Sequence, residues 1–218
     1  MDIYQELLGL VFTKLPEAQT WHADVNTYKV QDKVSNEELG IFYLDLYPRD
    51  NKYGHAAVFP MLKRAKIDGK IIPPAAAMMC NFDKPTAEKK SCLLHDDVVT
   101  FFHEFGHVMH GMCSHATYSR FSGTSVERDF VELPSQMLEN WVWNKSILER
   151  VSKHVDSGEP LPSDLIEKKL AIKNLNEASF TLRQIFFGTF DFLLHSANDE
   201  KLLALESGEG HCLTSLRK

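Results

Sequence analysis

Positive charge is in deficit in this sequence: its 218 residues carry 24 Lys and Arg against 30 Asp and Glu, a formal net charge of −6. That balance argues against nucleic acid as a partner, because a phosphate backbone calls for a basic face. It also suits solubility. No stretch of eighteen apolar residues occurs, so no transmembrane helix and no membrane partner is expected. Cysteine is sparse. Cys80, Cys92, Cys113 and Cys212 form no C-x-x-C pair and are few for a disulfide scaffold, so a reducing, cytoplasmic setting is the simpler expectation. Met1-Asp2-Ile3-Tyr4 opens no signal peptide. Internal repeats and low-complexity segments are absent too, which excludes solenoids and tails.

What is present supports a core. Hydrophobic residues make up 44% of the chain, and the length fits one compact domain. The expected class is α+β, mainly helical, with a small sheet of N-terminal strands followed by helices. Tyr4 to Phe12 reads as a short helix packing Leu7, Leu8 and Val11. Val25–Val30 and Ile41–Tyr47 alternate with period two and flank the turn signal Asn36-Glu37-Glu38-Leu39-Gly40, which predicts a hairpin. Asp68-Gly69 suits the turn of a second one, and Ala75 to Phe82 suits a buried strand. From Asp97 onward helices are expected over 97–113, 131–154, 163–175 and 176–196. Phe186, Phe187, Phe190, Phe192 and Leu193 are expected in the core, and Trp141 and Trp143 in a core or an interface.

Within the first of those helices the chain reads His103-Glu104-Phe105-Gly106-His107, an H-E-x-x-H sequence. Random order would give about 0.03 such matches in a chain of this composition. The setting is right as well: Val98 to Phe102 lead in, and Phe105, Val108, Met109 and Met112 recur at three-to-four spacing. Asp96 or Asp97 is the expected N-cap. Residues four apart share a helix face, so His103 and His107 can aim two imidazoles at one ion. Zinc accepts such ligands tetrahedrally and acidifies a bound water, and Glu104 is placed to take the proton as general base.

The third ligand is open on spacing alone. A metzincin would place glycine and histidine where His110 and Cys113 stand, so that pattern fails. His110 lies nearly on the face of His103, but one helix surface cannot wrap three side chains around one ion. The other candidates are Glu127, Glu132 and Glu139. A helix from about Val131, capped by Asp129 and with Pro134 in its first turn, would put Glu132 and Glu139 on one face. Glu127 would fall in a loop, so spacing favours Glu132 over it. His55 reads as a turn histidine, and Arg128 and Asp129 as supports of the Glu132 helix or a surface ion pair.

The stretch from His103 to His110, then Phe121-Ser122-Gly123-Thr124, then Val126 through Trp143 with its Phe130-Val131-Glu132-Leu133-Pro134-Ser135-Gln136 core, resembles the thimet oligopeptidase and neurolysin family of zinc endopeptidases. The likeness reaches upstream to Gly40–Arg49 and Lys52–Ala57 and downstream to Leu182–Ile185, about residues 3 to 196. It implies a zincin-like catalytic core, incomplete here, with a zinc-binding helix pair. It also implies one zinc ion per chain, Glu132 as third ligand beside His103 and His107, and Glu104 as the base. Short peptides are the implied substrates. In peptidases resembling this one, a strand before the zinc helix lies at the sheet edge and pairs with extended peptide. Ala76–Asn81 is one candidate for that strand, a plain core strand being the alternative.

The resemblance divides the chain into a partial metallopeptidase catalytic domain, 1–196, and a divergent tail, 197–218. Family members continue beyond such a helix into a Gly-rich loop, a histidine and tyrosines that bind substrate and stabilise the oxyanion. The tail from Leu202 onward resembles none of that, and the upstream channel-forming helices have no counterpart. Three functions follow: a zinc endopeptidase for short peptides that needs missing parts of its own full-length protein; an inactive, truncated remnant that binds zinc or a protein partner; or a structural helical protein with no stoichiometric zinc.

Overall fold

The computed structural model describes residues 1–88 and 90–196. The expected tail, 197–218, with His211 and Cys212, lies outside the described residues. The chain divides into two compact units, Met1–Ile166 and Glu167 onward, and everything discussed as a site belongs to the first. The class is α+β with a small mixed sheet, as the sequence predicts.

Helix α1 spans Asp2–Leu8 and strand β1 Leu10–Lys14, where the apolar spacing predicts one helix from Tyr4 to Phe12. Gly9 closes the helix at φ 65°, the left-handed geometry that glycine adopts without a Cβ clash. The chain then leaves as a strand. Ile3 and Tyr4 are therefore the buried residues, while Leu7, Leu8 and Val11 are exposed.

Strands β2 (Asn26–Asp32) and β3 (Glu38–Asp45) form the expected antiparallel hairpin. Strand β4 is Ala57–Leu62, and β5 (Ala65–Ile67) and β6 (Lys70–Ile72) make the second hairpin. Its turn is Asp68-Gly69, both at positive φ, as a two-residue hairpin loop requires. Strand β7, Ala75–Met79, completes a five-stranded sheet of order β1-β2-β3-β7-β4, in which β3 and β7 run parallel. The candidate edge over 76–81 is corrected by this order, since β7 is hydrogen-bonded on both sides and the edge strands are β4, beside it, and β1. The sequence explains why. An uninterrupted apolar run such as Ala75-Ala76-Ala77-Met78-Met79 suits a strand covered on both faces, whereas Pro60 lacks the N–H of an interior strand and belongs at an edge.

Helix α2, His95–Met112, crosses the sheet. The Asp97 carboxylate accepts the Leu94 N–H at 2.9 Å, so the helix starts earlier than 97 and Leu94, rather than Asp96 or Asp97, is the cap. Asp97 acts from the third helical position instead. Phe102, Phe105, Val108, Met109 and Met112 are buried, as their spacing requires. The Phe105 ring is fully buried with its edge contacts to Tyr4 and Phe42 at 4.8 and 5.2 Å. The Tyr4 hydroxyl donates to the Phe102 carbonyl at 2.6 Å and pins α1 to α2.

The single helix expected over 131–154 is corrected to three pieces: α3 (Arg128–Val131), α4 (Leu133–Glu139) and, after a 3-10 turn at Asn140–Trp143, α5 (Lys145–Val151). Asn144 stops the run because its side chain caps α5, accepting the Ser146 N–H at 3.0 Å. Pro134 lies in the first turn of α4, as expected. Trp143 packs against the core, whereas Trp141 is more than a third exposed.

Helix α4 approaches α2 closely at Gly106. A Cβ there would lie 2.8 Å from the Ser135 Cα, so glycine is what allows the two backbones this near. In the second unit, beginning within α6 (Ser163–Ala171), helix α7 runs over Glu177–Ser196. No residue of α7 is buried. The expectation that Phe186, Phe187, Phe190, Phe192 and Leu193 are core residues is therefore corrected: Phe186 stacks on Phe190, but all five are exposed. A helix apolar around much of its surface needs partners on several sides.

Candidate metal centre

His103 and His107 stand one turn apart on α2, their ring centroids 4.9 Å from each other. Glu132, the residue joining α3 to α4, reaches back across the α2–α4 contact. Its Oε2 lies 3.2 Å from His103 Nε2 and 3.0 Å from His107 Nε2. Ligands at zinc distances in a tetrahedron stand about 3.3 Å apart, so these separations already match the edges of such a site. Two imidazoles and a carboxylate are also the donor set zinc accepts. Among the described residues this is the one grouping of three His, Cys, Asp or Glu side chains able to hold an ion, all its ligand atoms lying within 4.8 Å of one another.

The other candidates fall elsewhere. Glu127 sits at the N-cap of α3. His110 turns its ring toward Phe130, 6.2 Å away, and burial pushes its pKa down. Glu139, the last residue of α4, accepts a 2.6 Å hydrogen bond from His103 Nδ1, on the side of the ring away from Glu132. Ser135, fully buried, has its hydroxyl 2.9 Å from the Glu132 carbonyl oxygen and 3.0 Å from its Oε2, and its single hydrogen is donated to one of these two acceptors at a time.

Glu104 is nearly buried beside this cluster. Burial is the main cause that raises its pKa; His103 opposes the rise and Glu132 adds to it. Burial likewise lowers the pKa of His107 against the pull of Glu132, favouring the neutral imidazole that a metal needs. The cluster opens into a cleft of about 310 Å³, bounded by Ala57 and Val58 of β4, by Thr124 and by Val131.

The profile of Peptidase family M3 matches residues 1–207. The chain belongs to peptidase family M3. It is 54% identical over 201 residues to the thimet-like oligopeptidase of Dictyostelium discoideum, covering 90% of this chain and 30% of that protein. Against saccharolysin of Saccharomyces cerevisiae the identity is 43% over 213 residues, 94% of this chain and 30% of the relative. Oligopeptidase A of Escherichia coli is 42% identical over 197 residues, 89% and 29% respectively. This M3 chain thus spans about 30% of the length of the curated relatives it matches.

Four contributors to the M3 cleft escaped the sequence reading. Thr124 and the Ala57-Val58 edge carry no spacing signal, since a loop and a strand bring them in, and Ser135 follows Glu132 by three residues on α4. The fourth is the contact of Glu139 with His103. Its signal was the seven-residue interval from Glu132, read as a choice between ligands when both carboxylates touch the same imidazole.

Proposed function

We propose that this chain carries the catalytic centre of a zinc-dependent endopeptidase for short peptides, within a catalytic domain over 1–196. The observation that carries the reading is the convergence of His103 Nε2, His107 Nε2 and Glu132 Oε2 beside a carboxyl, Glu104, whose pKa burial raises. His103, His107 and Glu132 would hold the ion. When bound, zinc supplies a Lewis acid that acidifies water and polarises a peptide carbonyl. Glu104 then has two tasks: it takes a proton from the attacking water and passes it to the departing amine.

Substrate placement follows from the sheet. Strand β4 is an edge with Ala57 and Val58 on the rim of the cleft, so an extended peptide adds there as a further strand, with its scissile bond over the cluster. The relatives' names, oligopeptidases among them, support short peptides. Cys80, Cys92 and Cys113 are unpaired and no described helix is long and apolar enough to cross a membrane; both support a cytoplasmic setting. A second reading, an inactive chain that still binds zinc or a protein partner, is favoured by the exposed apolar side chains of α7.

Glu104→Gln tests the chemistry. In a polypeptide of the relatives' full length carrying these residues, the variant should keep one zinc per chain and lose about 100-fold or more in cleavage of a quenched short peptide. Turnover within tenfold of the unsubstituted protein would remove Glu104 as the base.

A further inference from the structure

We propose that the end of β4 and the β5–β6 hairpin form a carboxylate-recognising surface on the substrate path, favouring peptides with an acidic group about four or five residues from the bond that is cut. This rests on the endopeptidase reading above. The chain is acidic overall, with a formal charge of −6, but its charge is unevenly spread. Between Ala57 and Phe82 stand Lys63, Arg64, Lys66 and Lys70 against the single acid Asp68. The segment tied to the hairpin, Ser114 to Ser125, adds Arg120 and no acid. Those ties hold the cations in place without neutralising them. Lys63 Nζ donates to the Ser125 hydroxyl at 2.7 Å, Arg64 Nη1 to the Ala116 carbonyl at 2.8 Å, and the Lys66 N–H to the Thr117 carbonyl at 3.2 Å. All three acceptors are uncharged. Lys63, Lys66 and Lys70 are exposed, and a lysine ammonium has more hydrogens to give than the Ser125 hydroxyl takes.

The place of these cations relative to the metal cluster follows from β4. Ala57 and Val58 rim the cleft at His103 and His107. A second hollow continues from it along the same strand, sharing Val58, His107 and Thr124 with the cleft and reaching Leu62 and Lys63. Strand residues advance about 3.3 Å each, so Lys63 stands roughly 16 Å along from Val58. A peptide added to β4 with its scissile bond at the cluster therefore brings its fourth or fifth residue level with Lys63 and the hairpin. A carboxylate there meets unneutralised cations, and a lysine is repelled. Antiparallel addition puts that residue on the amino side of the bond, parallel addition on the carboxyl side.

Peptide hydroxamates test this on the zinc-loaded 218-residue chain, because the hydroxamate chelates the metal and fixes the register on β4. One series carries it at the carboxyl end and the other at the amino end. Each places Glu, Gln or Lys at the fourth and fifth residues from the chelating group, with the far end blocked. A further Gln peptide of the second series keeps a free terminal carboxylate. Dissociation constants are measured by titration calorimetry. Expected is tighter binding of Glu than of Gln by about 3- to 10-fold in one series, with Lys weakest. The preference should vanish in about 0.5 M salt and in Lys63→Gln/Lys66→Gln/Lys70→Gln, whose thermal midpoint should match the parent. If that variant melts lower, Lys66→Gln/Lys70→Gln at an unchanged midpoint must still show part of the loss. Should the free terminal carboxylate bind as Glu does, the surface takes peptide ends; a preference confined to Glu assigns it to acidic side chains. Equal affinity of Glu and Gln peptides in both series, or a preference that the lysine substitutions leave intact, overturns the proposal and leaves the zinc reading standing. Hydroxamates that bind no tighter than the matching carboxamides overturn both.

Discussion

Asp45 has no exposed surface, yet it is ionised. Burial by itself pushes its carboxyl up, but Arg49 on both oxygens at 2.7 and 2.8 Å, Trp21 Nε1 at 2.8 Å and Lys52 at 2.9 Å outweigh that and hold it well below the usual carboxylate range. Lys52, itself buried, also donates to the carbonyls of Asp45, Tyr47 and Cys80, so one knot fastens the end of β3 to the loop that leads to β4. Removing the carboxylate strands the Lys52 charge, and Asp45→Ala should destabilise the fold by about 3–5 kcal/mol, read from denaturant unfolding. A depressed folded pKa means that the unfolded chain binds the proton first as pH falls. The stability due to Asp45 is thus fully present above about pH 4 and is lost below it, as pH falls toward the folded pKa. An unfolding series from pH 6 to pH 2 should show that acid-side loss in the parent and a shallower slope in Asp45→Asn; parallel slopes would contradict it. None of this was legible in the sequence, because the partners come from 4, 7 and 24 residues away with no periodicity. His103, Glu104 and His107 were legible because one helix turn fixes their spacing. Glu132 required the resemblance, since loop and helix geometry together bring it in.

At the scale of elements, the α2–α4 contact decides whether the histidines and the carboxylate meet. Gly106→Ala would gain about 0.5–1 kcal/mol of helix propensity but drive a Cβ to 2.8 Å from the Ser135 backbone, and overpacking of that kind costs about 1–3 kcal/mol. Packing wins. The variant should be less stable in a thermal melt and should bind zinc more weakly, because α4 carries Glu132 away from α2. An unchanged melt with unchanged affinity would show that the close approach is not needed. Elements were legible where one local signal dominates: the Asp68-Gly69 turn, the apolar face of α2, the alternation of β2 and β3. They were misread where a single residue interrupts an otherwise continuous pattern, as Gly9 does in ending α1 and Asn144 in starting α5. The place of β7 inside the sheet depends on β4, a strand whose Pro60 and exposed Phe59 and Met61 hide it from a pattern search.

For the molecule as a whole, the apolar surface of α7 is the outstanding liability. Phe180, Leu182, Ile185, Phe186, Phe187, Phe190 and Phe192 are each more than 40% exposed, and contiguous apolar surface above a few hundred Å² marks a site for a partner or for aggregation. The 218-residue chain alone should self-associate in sedimentation or light scattering and cleave quenched short peptides far below about 1 s⁻¹. A monodisperse monomer with ordinary turnover would contradict both halves of that expectation. The central claim, that His103, His107 and Glu132 form a zinc site, is tested most directly by metal content per folded chain, and needs no catalysis. After dialysis against trace zinc, the parent should hold one equivalent and His103→Ala/His107→Ala none. Stoichiometric zinc in the doubly substituted chain, or none in the parent, would contradict the account.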